Sequence, residues 1–262
     1  MTLPRKISHY GWIPDLPDHR DLLYAAPVVA LKPPPAKADL TGQCPKTVYD
    51  QGQLGSCTGN AIAAALEFDM MKEQLPKIVT PSRLFIYYNE RAKEGTISED
   101  SGAQIRDGIK SVNQLGACLE TTWPYTDANP GPFQQRPPKP CYDEALKYKA
   151  LTYHRVARSL GQMRGCLASG YPFVFGFSVY DSFESETVAR TGVVPMPGAA
   201  ETLLGGHAVL AVGYDDACQR FTVRNSWGPG WGLHGYFTQP YAYLLDSNLS
   251  DDFWTIRTIA RG

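Results

Sequence analysis

Seven of the chain's 21 prolines stand within its first 38 residues, at Pro4, Pro14, Pro17, Pro27 and the run Pro33-Pro34-Pro35. A pyrrolidine ring locks φ at about −65° and removes a backbone donor, so this stretch cannot form a long helix and is held to extended or polyproline conformation. It reads as an arm, residues 1–38, outside the core. It is not an inert linker, because Tyr10, Trp12, Ile13, Leu16, Leu22, Leu23 and Tyr24 give it more apolar surface than a solvated tail carries. A docked arm is expected. The run LLYAAPVVAL at 22–31 is its one signal-like element, but Asp15, Asp18 and Asp21 precede it and Pro27 interrupts it. No apolar run approaches the roughly 20 residues that span a bilayer. The chain is expected to be soluble, either cytoplasmic or exported by a non-standard route.

Past the arm, Ile62, Leu66 and Met70 recur at a spacing of four within 57–75, a helical stripe that Pro76 ends. Gly52 and Gly55 bring the chain into it through a tight turn. Residues 83–94 and 105–116 are further helix candidates, the second closing on Leu115-Gly116. A Pro/Gly-rich loop at 127–139 follows. Beyond it, residues 173–180, 207–214, 221–225 and 235–239 are rich in Val, Phe and Tyr and bounded by Gly, Asp or Pro, which predicts strands. Helices come first and strands second, so the fold class is α+β, with a cleft where a helical lobe meets a sheet lobe. With 262 residues there is ample material for a core, in one large or two small domains. Lys plus Arg is 25 against 26 for Asp plus Glu, a net charge of −1 that leaves no cationic excess for binding nucleic acid.

Three stretches carry chemistry. In Gln51-Gly-Gln-Leu-Gly-Ser-Cys57, a cysteine opens a helix, where the positive end of the dipole favours thiolate over thiol. Free N–H groups there, with the Gln51 amide six residues earlier, suit an oxyanion. In Gly205-Gly206-His207-Ala-Val-Leu-Ala-Val, a histidine opens an apolar strand and can reach across a cleft. In Asn225-Ser-Trp227-Gly-Pro-Gly-Trp231-Gly, an amide closes a strand and two tryptophans follow, suited to shielding an imidazole–amide hydrogen bond. Taken singly, each has a plainer reading as a buried cysteine, a core histidine or a turn.

Together the three stretches resemble the papain-like cysteine peptidases, with His207 and Asn225 lying 150 and 168 residues after Cys57. The resemblance runs from about Asp39 to the C-terminal region and is to a bacterial-type member with a short prosegment. It implies a two-lobe fold over 39–262, a helical lobe at about 42–138 and an antiparallel β lobe at about 139–262 completed by the start of the domain. It makes Cys57 the nucleophile, His207 its ion-pair partner and general acid, Asn225 the residue orienting the imidazole, and Gln51 the oxyanion donor. The substrate strip it implies is Ser101, Gly102, Ala103 and Gln104, with Gly206 on the far wall and Trp227 beside the imidazole. Three positions depart from the family pattern. Thr58 stands for the usual Trp and Leu54 for the usual Cys, so the bridge that staples this loop cannot form; Gly206 stands where an acid is common.

Several expectations follow. The substrates are proteins or peptides, no metal or other cofactor is called for, and the chain is expected to be a monomer. The arm is too short and Pro-rich for the family's helical prodomain, so it is expected to lie along the cleft and restrain activity. Cys44, Cys118, Cys141, Cys166 and Cys218 remain; Cys118 and Cys141 flank the Pro-rich loop and are one candidate pair among several, and no zinc-type spacing occurs. His9, His19, His154 and His234 lack comparable surroundings. Two rivals use the same residues differently: a Cys-dependent acyl transferase or amidase for a specialised substrate, and a binding protein on an inactive peptidase scaffold.

Overall fold

The computed structural model describes residues 9–25, 34–75 and 78–259. Pro4, Pro27, Pro33, Pro76 and most of the 22–31 run lie outside the described residues. In chain order the elements are β1 (Trp12–Ile13), β2 (Lys37–Asp39), α1 (Cys57–Lys72), α2 (Arg83–Glu94), β3 (Ala103–Gln104), α3 (Ile105–Gln114), α4 (Lys139–Ala145), β4 (Ala150–Arg155), α5 (Leu160–Ala168), β5 (Phe173–Tyr180), α6 (Glu186–Thr191), β6 (Leu203–Asp215), β7 (Arg220–Arg224), β8 (Tyr236–Pro240), α7 (Tyr241–Leu245) and β9 (Ser250–Ile259).

The helix α1 is buried on nearly every face from Cys57 to Met70. That follows from its sequence: Ala61, Ala63, Ala64 and Ala65 favour the helix and let neighbours approach closely, and a helix apolar all round belongs inside. It packs on β6, β9, α2 and α3. The next helix, α2, has clean ends, with the Ser82 hydroxyl accepting from Phe85 N–H at 3.1 Å and Gly95 taking the left-handed cap at φ 76°.

Seven strands form an antiparallel sheet in the order β4-β9-β5-β6-β7-β8, with β2 added against β6. Phe173, Phe175 and Phe177 alternate along β5 and so share one face. There Phe175 stacks on Phe253 at 5.8 Å and Phe173 meets Phe221 edge-on at 6.1 Å. Phe175→Ala is expected to cost about 3–5 kcal/mol, the usual price of an aromatic-sized void, read by urea unfolding.

Two expectations are corrected. The N-terminal arm is not outside the core: Trp12 and Tyr24 are buried within the main apolar cluster, because the prolines leave the chain extended and β1 then pairs in parallel with β3. His207 does not open its strand, since β6 begins at Leu203 and its Gly205-Gly206 segment already pairs with Val179 and Ser178 of β5. All six cysteines are free thiols, and Cys118 and Cys141 lie side by side. No helix among the described residues is long and apolar enough to cross a membrane.

Candidate active site

Cys57 is the first residue of α1, and Ser56 before it makes no side-chain cap. Its hydroxyl instead meets the Tyr125 hydroxyl at 2.5 Å and accepts from Asn60 Nδ2 at 3.0 Å. The first-turn amides around Cys57 are thus not capped by a side chain, and the backbone N–H groups of Ala208, Gly11 and Thr58 favour the sulfur's ionised form. Burial outweighs them. Cys57 is fully buried and its thiol is pushed up to about 12. His207 is equally buried, which pushes its imidazole down to about 4 against the opposing pull of Asn225. Between those values the pair rests as thiol and neutral imidazole, not as the thiolate a helix N-terminus alone favours.

His207 Nε2 lies 2.8 Å from Asn225 Oδ1, which also accepts from Ser226 N–H at 2.9 Å. An oxygen already accepting one N–H must accept from the imidazole too, so Nε2 carries the proton. His207 Nδ1 has no hydrogen-bond partner. Trp227 covers the ring at 5.2 Å, and Phe177 and Phe183 close it at 5.7 and 6.4 Å. Gln51 ties the loop before α1 to the loop after β7: its Oε1 accepts from Ser226 Oγ at 2.6 Å and its Nε2 donates to Leu54 O at 3.0 Å.

The remaining predicted residues flank this centre. Gly102 takes φ 75°, Ser101 donates to Thr96 Oγ1 and the Gly102 carbonyl, and Ala103 N–H donates to Gly11 O at 2.7 Å. The Gln104 Oε1 accepts from Leu16 N–H at 3.2 Å. Gly206 lies under Trp12, where a Cβ would fall 2.6 Å from the Trp12 carbonyl oxygen. The arm therefore occupies the strip Gly102–Gln104 and threads between Gly55 and Gly102, with Tyr10 against His207 and Trp227.

Sequence reading missed Glu90, Asp15 and Asp252. Glu90 is fully buried and accepts from Thr58 Oγ1 at 2.5 Å, so the hydroxyl in place of the family's Trp has a partner. Burial holds Glu90 well above the ordinary carboxylate range. Sequence offers no signal for it, since α2 places it on an otherwise unremarkable turn. Asp15 and Asp252 face each other across the arm's docking surface. Asp252 Oδ2 accepts from Asp15 N–H at 2.8 Å and Trp12 Nε1 at 3.1 Å, while Asp15 accepts from Arg106 N–H at 3.0 Å and Trp254 Nε1 at 2.9 Å. Arg155 pairs with Asp252, Asp251 and Asp21 at 2.9, 3.1 and 3.3 Å, and Arg106 pairs with Asp21 at 2.6 Å.

Burial raises both carboxyls, Asp252 to about 7, against the Arg106 and Arg155 charges and with Asp251 and Glu94 nearby. Asp15 belongs to the arm and stands second, after burial, among the causes that raise Asp252, so docking is expected to take up a proton that undocking releases. Docking is then firmest below the ordinary Asp value of 3.8 and weakens as pH rises through about 7. Asp18 is lowered, which acts only in acid, and its main partner Arg20 travels with the arm. We expect the hydrogen-exchange protection of the Ala103 amide to fall by up to about tenfold per pH unit across that window.

A central helix opening on a cysteine, packed on an antiparallel sheet whose histidine is hydrogen-bonded to an asparagine, is the arrangement of the papain-like cysteine proteases. The chain belongs to the papain family of cysteine proteases: the model of that family matches residues 34–242. It is similar to an uncharacterised peptidase C1-like protein of Acanthamoeba polyphaga mimivirus, 41% identical across 96% of this chain and 87% of that one. A cathepsin B-like protein of Giardia intestinalis is 30% identical across 74% of this chain and 64% of its own length. Among solved structures, xylellain, a cysteine protease from Xylella fastidiosa, superposes with a TM-score of 0.91 at 46% identity, covering 98% of this chain and 99% of that one. Residues 9–25 and β9 lie outside the span the family model matches.

Proposed function

We propose that this papain-family protease cleaves peptide bonds through Cys57, His207, Asn225 and Gln51, and that the N-terminal arm holds it inactive until displaced. The observation that carries the reading is the 2.8 Å His207–Asn225 hydrogen bond, which leaves Nδ1 free to take a proton, while the N–H of the next residue, Ala208, bonds to the sulfur of Cys57 at a helix N-terminus. With the cleft open, the Cys57 proton passes to Nδ1 and the thiolate attacks the substrate carbonyl carbon. The oxyanion is held by the Cys57 N–H and by the second N–H of Gln51 Nε2, the first being committed to Leu54 O. Collapse breaks the C–N bond as Nδ1–H protonates the leaving amine. Water, giving its proton to Nδ1, then hydrolyses the thioester, releases the acid and restores the thiol.

In the docked arm it is the Gly11 N–H that bonds to the Cys57 sulfur, while the Gly11 carbonyl accepts from Ala103 N–H at 2.7 Å, an arrangement that does not present the arm as a substrate. Its burial of both groups also removes the ion pair that attack requires. Rapid acid quench of a peptide ester reaction, followed by peptide mass mapping, tests the assignment. The acyl group is expected on the peptide containing Cys57; hydrolysis with no acyl group there would overturn it.

A further inference from the structure

One hydroxyl touches both ends of the loop that carries the two oxyanion donors. Tyr125 stands between α3 and α4, and its hydroxyl donates to Gln51 O at 2.9 Å while meeting Ser56 Oγ at 2.5 Å. Gln51 supplies one donor, and Ser56 immediately precedes Cys57, whose N–H supplies the other. A single side chain, 69 and 74 residues downstream of its two partners, therefore ties the two ends together.

The order of the protons follows from the chemistry of each atom. A carbonyl oxygen only accepts, so the Tyr125 proton goes to Gln51 O and Ser56 Oγ donates to the Tyr125 oxygen. Ser56 Oγ in turn accepts from Asn60 Nδ2 at 3.0 Å. The Asn60 amide is oriented from its other end, because Arg83 has only donors to offer and its Nη1 lies 3.2 Å from Asn60 Oδ1. Arg83, Asn60, Ser56, Tyr125 and Gln51 thus form one chain of donors running in a single direction, and the members of such a chain polarise one another. Burial pushes the Tyr125 phenol above its ordinary value, so the proton at the end of the chain stays in place.

The ring is held as well. Arg83 lies over it with the guanidinium carbon 3.9 Å from the ring centre, and Glu120 Oε1 accepts from both Arg83 Nη2 at 2.6 Å and Tyr125 N–H at 3.1 Å. Two residues on, Asp127 Oδ2 accepts from Gln53 N–H at 2.9 Å. Leu54 leaves this loop without a bridge, and these contacts hold it from outside.

We propose that Tyr125 is a positioning residue of the oxyanion hole, its hydroxyl setting the separation of the Gln51 amide and the Cys57 N–H without touching the substrate. The proposal rests on the peptidase reading.

The test uses the full chain carrying Gly11→Ala and a fluorogenic dipeptide. Tyr125→Phe, which keeps the ring over Arg83 and removes only the hydroxyl, is expected to lower kcat about tenfold or more with KM within about twofold; losing an oxyanion donor outright costs about 10²–10³. Two reagents separate this from a structural fault. Acylation of Cys57 by p-nitrophenyl acetate passes through a tetrahedral oxyanion, so its burst rate should fall about tenfold, whereas alkylation by iodoacetamide forms no oxyanion and should stay within about twofold. With Gln51→Ala already present, adding Tyr125→Phe should cost about threefold at most, because the two side chains act on one element. Ser56→Ala, which breaks the chain at its other end, should separate acylation from alkylation in the same sense, and it decides the matter if Tyr125→Phe does not fold. An unchanged kcat in Tyr125→Phe, alkylation falling in step with acylation, or the same loss with and without the Gln51 side chain would overturn the proposal. Should the parent hydrolyse no peptide, the peptidase reading fails, and the comparison of acylation with alkylation still decides the role of Tyr125.

Discussion

Gly11→Ala is expected to raise peptide turnover of the full-length chain on the order of a hundredfold, because it ejects the arm. The added methyl would sit 1.7 Å from the Gly55 carbonyl oxygen, 2.5 Å from its carbon and 3.0 Å from its Cα. All three are backbone atoms, so no rotamer change relieves the clash, and α1 with its buried surroundings fixes the loop from behind. Undocking is the available relaxation. It returns Cys57 and His207 to water, lowers the thiol from its buried value and raises the imidazole, so that the ion pair forms near neutral pH. Turnover of a fluorogenic peptide and the alkylation rate of Cys57 should rise together. Gly42→Ala is the matched control, since a Cβ there meets nothing within 4 Å. Equal turnover of Gly11→Ala and the native chain would show that the arm does not restrain the enzyme.

In the released Gly11→Ala background, Cys57→Ala is expected to lower kcat by at least about 10⁴, and adding His207→Ala should cost almost nothing further. Nucleophile and base act as one unit: once the sulfur is gone, the imidazole has no proton to accept. Far-ultraviolet dichroism and the unfolding midpoint should stay close to the parent's, because alanine keeps the helix start and removes one atom's worth of volume. Turnover surviving in Cys57→Ala would relocate the chemistry altogether.

The elements that could be read in advance were those whose signals are local. The helix α2 spans Arg83–Glu94 and β5 spans Phe173–Tyr180, the bounds expected of them, the second from its Val, Phe and Tyr content. β4 and β9 were not read. β9 begins Ser250-Asp251-Asp252, and two adjacent acids argue against a buried strand until Arg155, Arg158 and Trp12 are seen to meet them. Those partners stand about a hundred or more residues away in the chain, and periodicity carries no information at that range.

The sequence by itself determined the chemical set: a cysteine behind a glycine turn at a helix start, a histidine in an apolar strand, an amide before two tryptophans, and an extended apolar arm that had to dock somewhere. Only the tertiary structure decided their state. Helix position argues for a thiolate, but Cys57 and His207 are both buried, and desolvation of both charges outweighs the dipole and three amide donors. It also decided where Trp12 sits. Gly176 and Gly206 from neighbouring strands and the Asp252 carboxyl on the irregular stretch of β9 converge on its indole, and that convergence is a property of folded distance.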